Sequence, residues 1–161
     1  MTDLTLEQRI QRLEDIEEIK QLKAEYCASC DDNHNGPRIA ALFVEDGVWH
    51  RQDEEPNEGR QAITDYMNAI RNAGFMRNSA HMVTNPQIEV TGDTAVAKWR
   101  FTMMYTAMLP GGGLQYQRII GYYIDDHVKV DGKWWFKVLR PFVEEVDAYP
   151  VEANKLDAAA E

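Results

Sequence analysis

Positive charge is what this chain has least of. It sets 17 lysines and arginines against 27 aspartates and glutamates, a formal net charge of −10. Phosphate backbones and anionic lipid surfaces are repelled by such a protein, so neither nucleic acid nor a membrane is expected as a partner. Long apolar runs are missing as well. No stretch approaches the ~20 residues that a membrane-spanning helix needs. The opening residues, MTDLTLEQRIQRLED, are charged from the third position on and lack the apolar centre of a secretory signal. The expected location is the cytoplasm. Cysteine is confined to Cys27 and Cys30, in a C-x-x-C. Zinc wants four ligands, and only Asp31, Asp32 and His34 lie near. A redox C-x-x-C follows a strand, whereas this one closes a helix. Both cysteines therefore read as small buried residues.

Other absences narrow the chemistry. No H-x-H or H-E-x-x-H spacing occurs, and no metal is expected. PGGG (110–113) lacks the Lys-Ser/Thr and helix of a phosphate loop. No serine or cysteine sits in a nucleophile elbow. No cofactor is expected.

What remains is a chain of 161 residues with ordinary apolar content, enough for one domain that buries about 70% of its unfolded surface. The domain is expected over 1–146, with 147–161 as a mobile tail. Leu6, Ile10, Leu13, Ile16, Ile19, Leu22 and Tyr26 recur at steps of three and four, which predicts one helix over 5–30, capped by Thr5. DDNHNG (31–36) ends it with turn formers. Pro37 opens a second helix, PRIAALF, and RQAITDYMNAIRNA (60–73) is a third, stopped by Gly74. A short strand is expected at 47–51, followed by a polar loop.

The second half changes period. Strands are expected at 82–90, 95–109, 114–130 and 133–146. Ala97, Trp99, Phe101, Met103 and Tyr105 alternate with Lys98, Arg100, Thr102, Met104 and Thr106. Asp131-Gly132 is a hairpin turn, and Gly121 a bulge or bend. Three helices followed by a mostly antiparallel, curved sheet give an α+β fold, a cone with an apolar interior.

In that cone Trp49, Phe101, Met103, Tyr105 and Tyr122 are candidate pocket liners, with Met67, Ile70, Phe75 and Met76 as a helical lid. Such a stripe is more often core than pocket, but in a cone the two coincide. Seven methionines suit an adaptable apolar cavity. Tyr26, one turn before Asp31, reads as either a core tyrosine or a polar anchor inside the cone. His81 reads as either a strand-start histidine or a general base suited to neutral pH. His127 alternates with charged residues and reads as exposed. His34 lies in the turn, and His50 carries no signal.

The segments IEEIKQLKAEYCASCDD, RIAALFVEDGVW, EGRQAI, HMVTNPQIEV, TGDTAVAKW and GYYIDDHVKVDGKWWF resemble the SnoaL-like branch of the NTF2-like superfamily, over about residues 10 to 145. The likeness is strongest to its small dehydratases and lyases: scytalone dehydratase, bile acid 7α-dehydratase and hexachlorocyclohexane dehydrochlorinase. The resemblance implies an aspartate at the end of the first helix orienting a histidine at the start of a strand. Those positions fall on Asp31 and His81; counting back from FVED favours Asp32 instead. Some relatives add an acid on the long central strand, and none stands there here. Some use an arginine on the last strand, close to Arg140. The implied function is a cofactor-free dehydratase of a hydroxylated, hydrophobic, steroid-like or polycyclic ring compound. A double-bond isomerase or cyclase in the same pocket is the near competitor. A lipophilic ligand binder or an oxygenase partner subunit is the other class. Relatives are often trimers, sometimes dimers, so a homo-oligomer is expected, joined through the outer sheet face. Trp134 and Trp135 are neighbours on one strand, so one of them must face outward.

Overall fold

Thr5 starts the first helix through a reciprocal cap. Its hydroxyl accepts from the Gln8 backbone N–H at 3.2 Å, and the Gln8 side chain accepts from the Thr5 N–H at 2.9 Å. The computed structural model describes residues 4–151. Their elements run α1 (Leu6–Asp31), α2 (Gly36–Ala40), β1 (Phe43–Trp49), β2 (Asn57–Glu58), α3 (Gly59–Ala73), β3 (Met76–Thr91), β4 (Thr94–Leu109), β5 (Gly113–Val130) and β6 (Lys133–Pro150). No helix among the described residues is long and apolar enough to cross a membrane.

The strands form one six-stranded sheet in the order β2-β1-β6-β5-β4-β3. Only β1 and β6 pair in parallel; all other neighbours are antiparallel. The sheet stays open, and its concave face holds α1 and α3. Inward from β4 come Ala97, Trp99, Phe101, Met103 and Tyr105, all buried. They meet Ile19, Leu22, Tyr26, Ile63 and Met67 of the helices.

Several boundaries differ from expectation. Phe43 starts β1 rather than ending a helix, because it packs on Phe136 with ring centroids 5.2 Å apart. β2 is two residues inside the expected polar loop. β3 begins at Met76, six residues early, and continues through Asn85 and Pro86 as a bulge on the sheet's edge. β6 extends to Pro150, four residues into the expected tail, because Asp147 accepts from Arg118 Nε at 3.0 Å and its strand pairs with Gln115–Arg118. Residues 152–161 of that tail lie outside the described residues. In α1, Leu6, Ile10 and Leu13 are exposed, since the first turns run past the sheet with nothing packed on them.

Gly121 is where β5 bends. A Cβ there would lie 2.0 Å from the Phe142 carbonyl oxygen and 2.7 Å from the Phe101 ring. The close approach sits at a register shift against β6, between Ile120 and Gly121. It also sets which residues of β5 face inward: Gly121, Tyr123, Asp125 and His127 are buried. Two expectations fall with that phase. Tyr122 lies on the outer face, stacked on Phe142 at 4.8 Å. His127 is 2% exposed rather than solvated, and packs on Phe136. Trp134 is the inward tryptophan, and Trp135 the outer one, covered by Lys133.

Inward-facing Asp125 meets Lys23 of α1 at 2.9 Å, both side chains fully buried. The ammonium also stands 3.3 Å from the centre of the Tyr123 ring. His127, nearby, has no partner for either ring nitrogen among the described residues. Burial pushes its pKa from 6.5 down to about 3, and the Lys23 charge adds to the effect. Unfolded, it takes a proton near 6.5; folded, it refuses one until about 3. The unfolded chain therefore binds more protons across that window, and stability falls with acid at about 1.4 kcal/mol per pH unit for this group. His127→Phe should remove about 2 kcal/mol of the stability loss between pH 6.5 and pH 5. Urea denaturation of both proteins at the two pH values measures the difference.

Candidate active site

The last turn of α1 and the exposed edge of β3 meet at the wide end of the cone. An edge strand leaves backbone N–H groups without sheet partners. The His81 N–H is one of them, and it donates to Asp31, whose two carboxylate oxygens lie at 3.1 and 3.0 Å. The same carboxylate holds the His81 ring: Nδ1 to Oδ1 is 2.6 Å. Asp31 thus fixes the backbone and the imidazole together. Burial works to raise its pKa, but the hydrogen bonds from the His81 ring, the His81 backbone and Ser79 outweigh it and hold it below the usual carboxylate range. An ionised Asp31 puts the ring proton on Nδ1 and leaves the Nε2 lone pair free. The side chain of His81 is 8% exposed and that of Asp31 31%.

His81 forms part of the wall of a cavity of about 260 Å³. Of the liners expected, Trp49, Met67, Ile70, Phe75, Met76, Phe101, Met103 and Tyr105 are there. Tyr26 is there too, its hydroxyl accepting from Trp49 Nε1 at 2.9 Å. Burial holds the Tyr26 phenol well above its ordinary pKa, so it offers a neutral hydrogen bond rather than a proton.

Three expected residues stand elsewhere. Tyr122 is on the outer face, and Tyr123 takes its place in the cavity wall. Arg140 also faces outward, donating to Asp126 at 2.6 Å. An extra residue in β6 opposite the step from Asp126 to His127 turns it that way. Asp32 is exposed and accepts from Asn35 and Arg38 rather than from His81. The carboxylate touching His81 is that of Asp31.

The cavity also holds residues that the sequence does not single out: His34, Cys30, Arg51, Tyr66 and Tyr123. His34 reads as a plain turn residue, yet it is 8% exposed, and its ring stands edge-on to that of His81 at 5.8 Å. The composition of the turn shows only that left-handed backbone is tolerated there. Asn33 and His34 both adopt left-handed backbone, φ 51° and 48°, and DDNHNG is rich in the residues that tolerate it. At the mouth Tyr66 donates to Glu54 at 2.8 Å, and Arg51 pairs with Glu54 at 3.3 Å. Cys27 and Cys30 are free and buried. Burial pushes Cys27 up to about 11 and Cys30 higher still, so neither thiol is a nucleophile at neutral pH. Among the described residues no three of His, Cys, Asp and Glu gather as metal ligands do. A larger groove of about 520 Å³ is lined by residues of β1, β3, β4, β5 and β6, with His127, unpartnered among the described residues, one of them. It is open and charged, and Asp46 and Lys137 in it pair with each other at 2.6 Å. It has no counterpart of the oriented histidine.

A SnoaL-like domain model matches residues 11–140. The chain belongs to the SnoaL-like family. Solved SnoaL-like and NTF2-like structures share its fold. A scytalone dehydratase-like protein from Novosphingobium aromaticivorans DSM 12444 is 26% identical, with a TM-score of 0.74 over 88% of this chain and 92% of its own. A protein from Mycobacterium tuberculosis, described as of unknown function, is 29% identical with a TM-score of 0.66 over 84% and 75%. The hexachlorocyclohexane dehydrochlorinase LinA-type3 from Novosphingobium barchaimii LL02 is 19% identical with a TM-score of 0.74 over 90% and 95%, a likeness of fold. No curated protein matches the chain.

Proposed function

We propose that this SnoaL-like protein is a lyase that removes water from a hydroxylated hydrophobic ring compound, with no cofactor. The observation that carries the reading is the 2.6 Å contact of His81 Nδ1 with Asp31 in the wall of an apolar cavity. His81 Nε2 takes the proton from the carbon beside the C–O bond. Asp31 balances the imidazolium that results. The C–O electrons leave with the oxygen, and His81 returns the proton to it as water, ending neutral. Tyr26 lines the cavity and keeps its proton, so in this reading it holds the substrate. The dehydratase and dehydrochlorinase among the structural neighbours, both eliminating enzymes by name, support this class.

The cavity, at about 260 Å³, is just below the ~300–1,000 Å³ usual for small-molecule sites. That size favours a compact substrate of two or three fused rings over a full steroid. The expected experiment is incubation with a panel of cyclic alcohols, from tetralols and hydroxychromanones to hydroxysteroids, read by mass spectrometry. A product lighter by one water from the compact members supports the reading. A product of unchanged mass but new retention time assigns an isomerase instead. Binding without any product leaves a carrier.

A further inference from the structure

Several of the polar groups around the cavity are tied down. Tyr26 accepts from Trp49, Tyr105 donates to Gln117, Tyr66 donates to Glu54, and Arg51 pairs with Glu54. His34 is not tied down. The residue is 8% exposed, lines the cavity, and its ring takes no hydrogen bond from the described residues at either nitrogen. Unlike those of His127, its ring nitrogens are not fully sealed, and it also borders a second hollow beside Asp31, Asn33 and Ser79. The backbone holds the ring there at some strain, in the left-handed region at φ 48°, with the His34 N–H donating to the Cys30 carbonyl at 2.9 Å.

We infer that His34 is a substrate-contacting residue whose imidazole donates a hydrogen bond to the ring oxygen of the bound compound while His81 takes and returns the proton. The inference rests on the dehydratase reading of the same site and assigns it a second histidine. The two rings divide the work because they cannot both be charged at 5.8 Å. Asp31 grips His81, so His81 is the ring that becomes charged when it takes the substrate proton. Burial and the neighbouring His81 charge push His34 down to about 4, leaving it an uncharged donor at neutral pH. A neutral imidazole polarises an oxygen without giving up its proton. No bond to His34 forms or breaks, and the oxygen recognised is a hydroxyl or carbonyl on a flat apolar ring.

The test compares 2-naphthol with naphthalene, probes alike except for one ring hydroxyl, neither of which can lose water. Dissociation constants are measured by fluorescence for the wild type, His34→Asn and His34→Gln. Asn tolerates the left-handed backbone best, so it removes the imidazole without adding strain. Gln places an amide near the former Nε2. The wild type should prefer 2-naphthol by about fivefold, the worth of one neutral hydrogen bond. His34→Asn should lose that preference and His34→Gln keep most of it. Should a variant fail to fold, histidine ring ¹⁵N spectra of the wild type decide: 2-naphthol should shift the His34 nitrogens and naphthalene should not. A preference that survives in His34→Asn, no preference in the wild type, or unmoved His34 signals would each overturn the inference. Failure of the dehydratase reading looks different: no panel compound loses water, while the naphthol preference remains and still depends on His34.

Discussion

His81→Ala slows dehydration of the best panel compound by about 10²–10⁴-fold, the range that one positioned acid–base group supplies. The variant keeps its fold. The ring sits at the cavity wall rather than in the centre of the core, and the strand pairings of β3 with β4 involve its backbone only. Asp31→Asn should slow the reaction as well, while leaving a neutral partner for the His81 ring. An amide cannot balance the imidazolium, and it can present a donor to Nδ1 and so invert the tautomer. Substrate affinity should change little in either variant, because the apolar walls supply most of the binding. Thus kcat should fall and KM stay near the wild-type value, with thermal melts of both variants close to that of the parent. Equal turnover by His81→Ala would remove His81 from the mechanism.

Lys23→Met destabilises the protein by about 3–5 kcal/mol. That is the usual consequence of stripping one partner from a buried ion pair and leaving the other charge without compensation. Asp125 is the charge left behind. It is fully buried, and burial already pushes its pKa up; Lys23 is the main influence pulling it back. The substitution also removes the cation that stands 3.3 Å from the centre of the Tyr123 ring. Tyr123 and Tyr26 both line the cavity, so the ion pair is part of the cavity's underlying support. The double substitution Lys23→Met with Asp125→Leu should recover most of the loss, because an apolar pair of similar volume removes the orphaned charge. Urea denaturation of the two singles and the double gives the coupling directly. A Lys23→Met protein as stable as the parent would show that Asp125 is neutral or solvated.

Much of this architecture is legible in the sequence, and the departures share a physical origin. The steps of three and four in α1 and α3, the alternation in β4 and the Asp131-Gly132 turn follow local rules that tertiary contacts do not override. Asp31 and His81 lie 50 positions apart, and their pairing follows from a family resemblance, not from spacing. β5 takes the opposite phase from the one its pattern suggests, for a clear reason. Its outward set, Ile120, Tyr122, Ile124, Asp126 and Val128, is more apolar than its inward set, Gly121, Tyr123, Asp125 and His127. An inward aspartate is tolerated only because Lys23, on a distant helix, neutralises it. Nothing local announces that. Tyr122 and His127 leave their expected faces together for this one reason. Arg140 is turned outward by an extra residue in β6, which periodicity of two does not register. His34 stays hidden because a turn that merely ends a helix and a turn that aims a ring into a cavity have the same composition.

The central claim is that His81 removes a proton from carbon in the step that expels the oxygen. It is tested most directly by a single-turnover comparison, enzyme in excess, of a cyclic alcohol with its analogue deuterated at the carbon beside the C–O bond. The account predicts that the wild type converts the deuterated compound several-fold more slowly. Identical rates, with water still lost, would mean that the proton is not being transferred in the step that expels the oxygen, and would contradict its removal by His81 in that step.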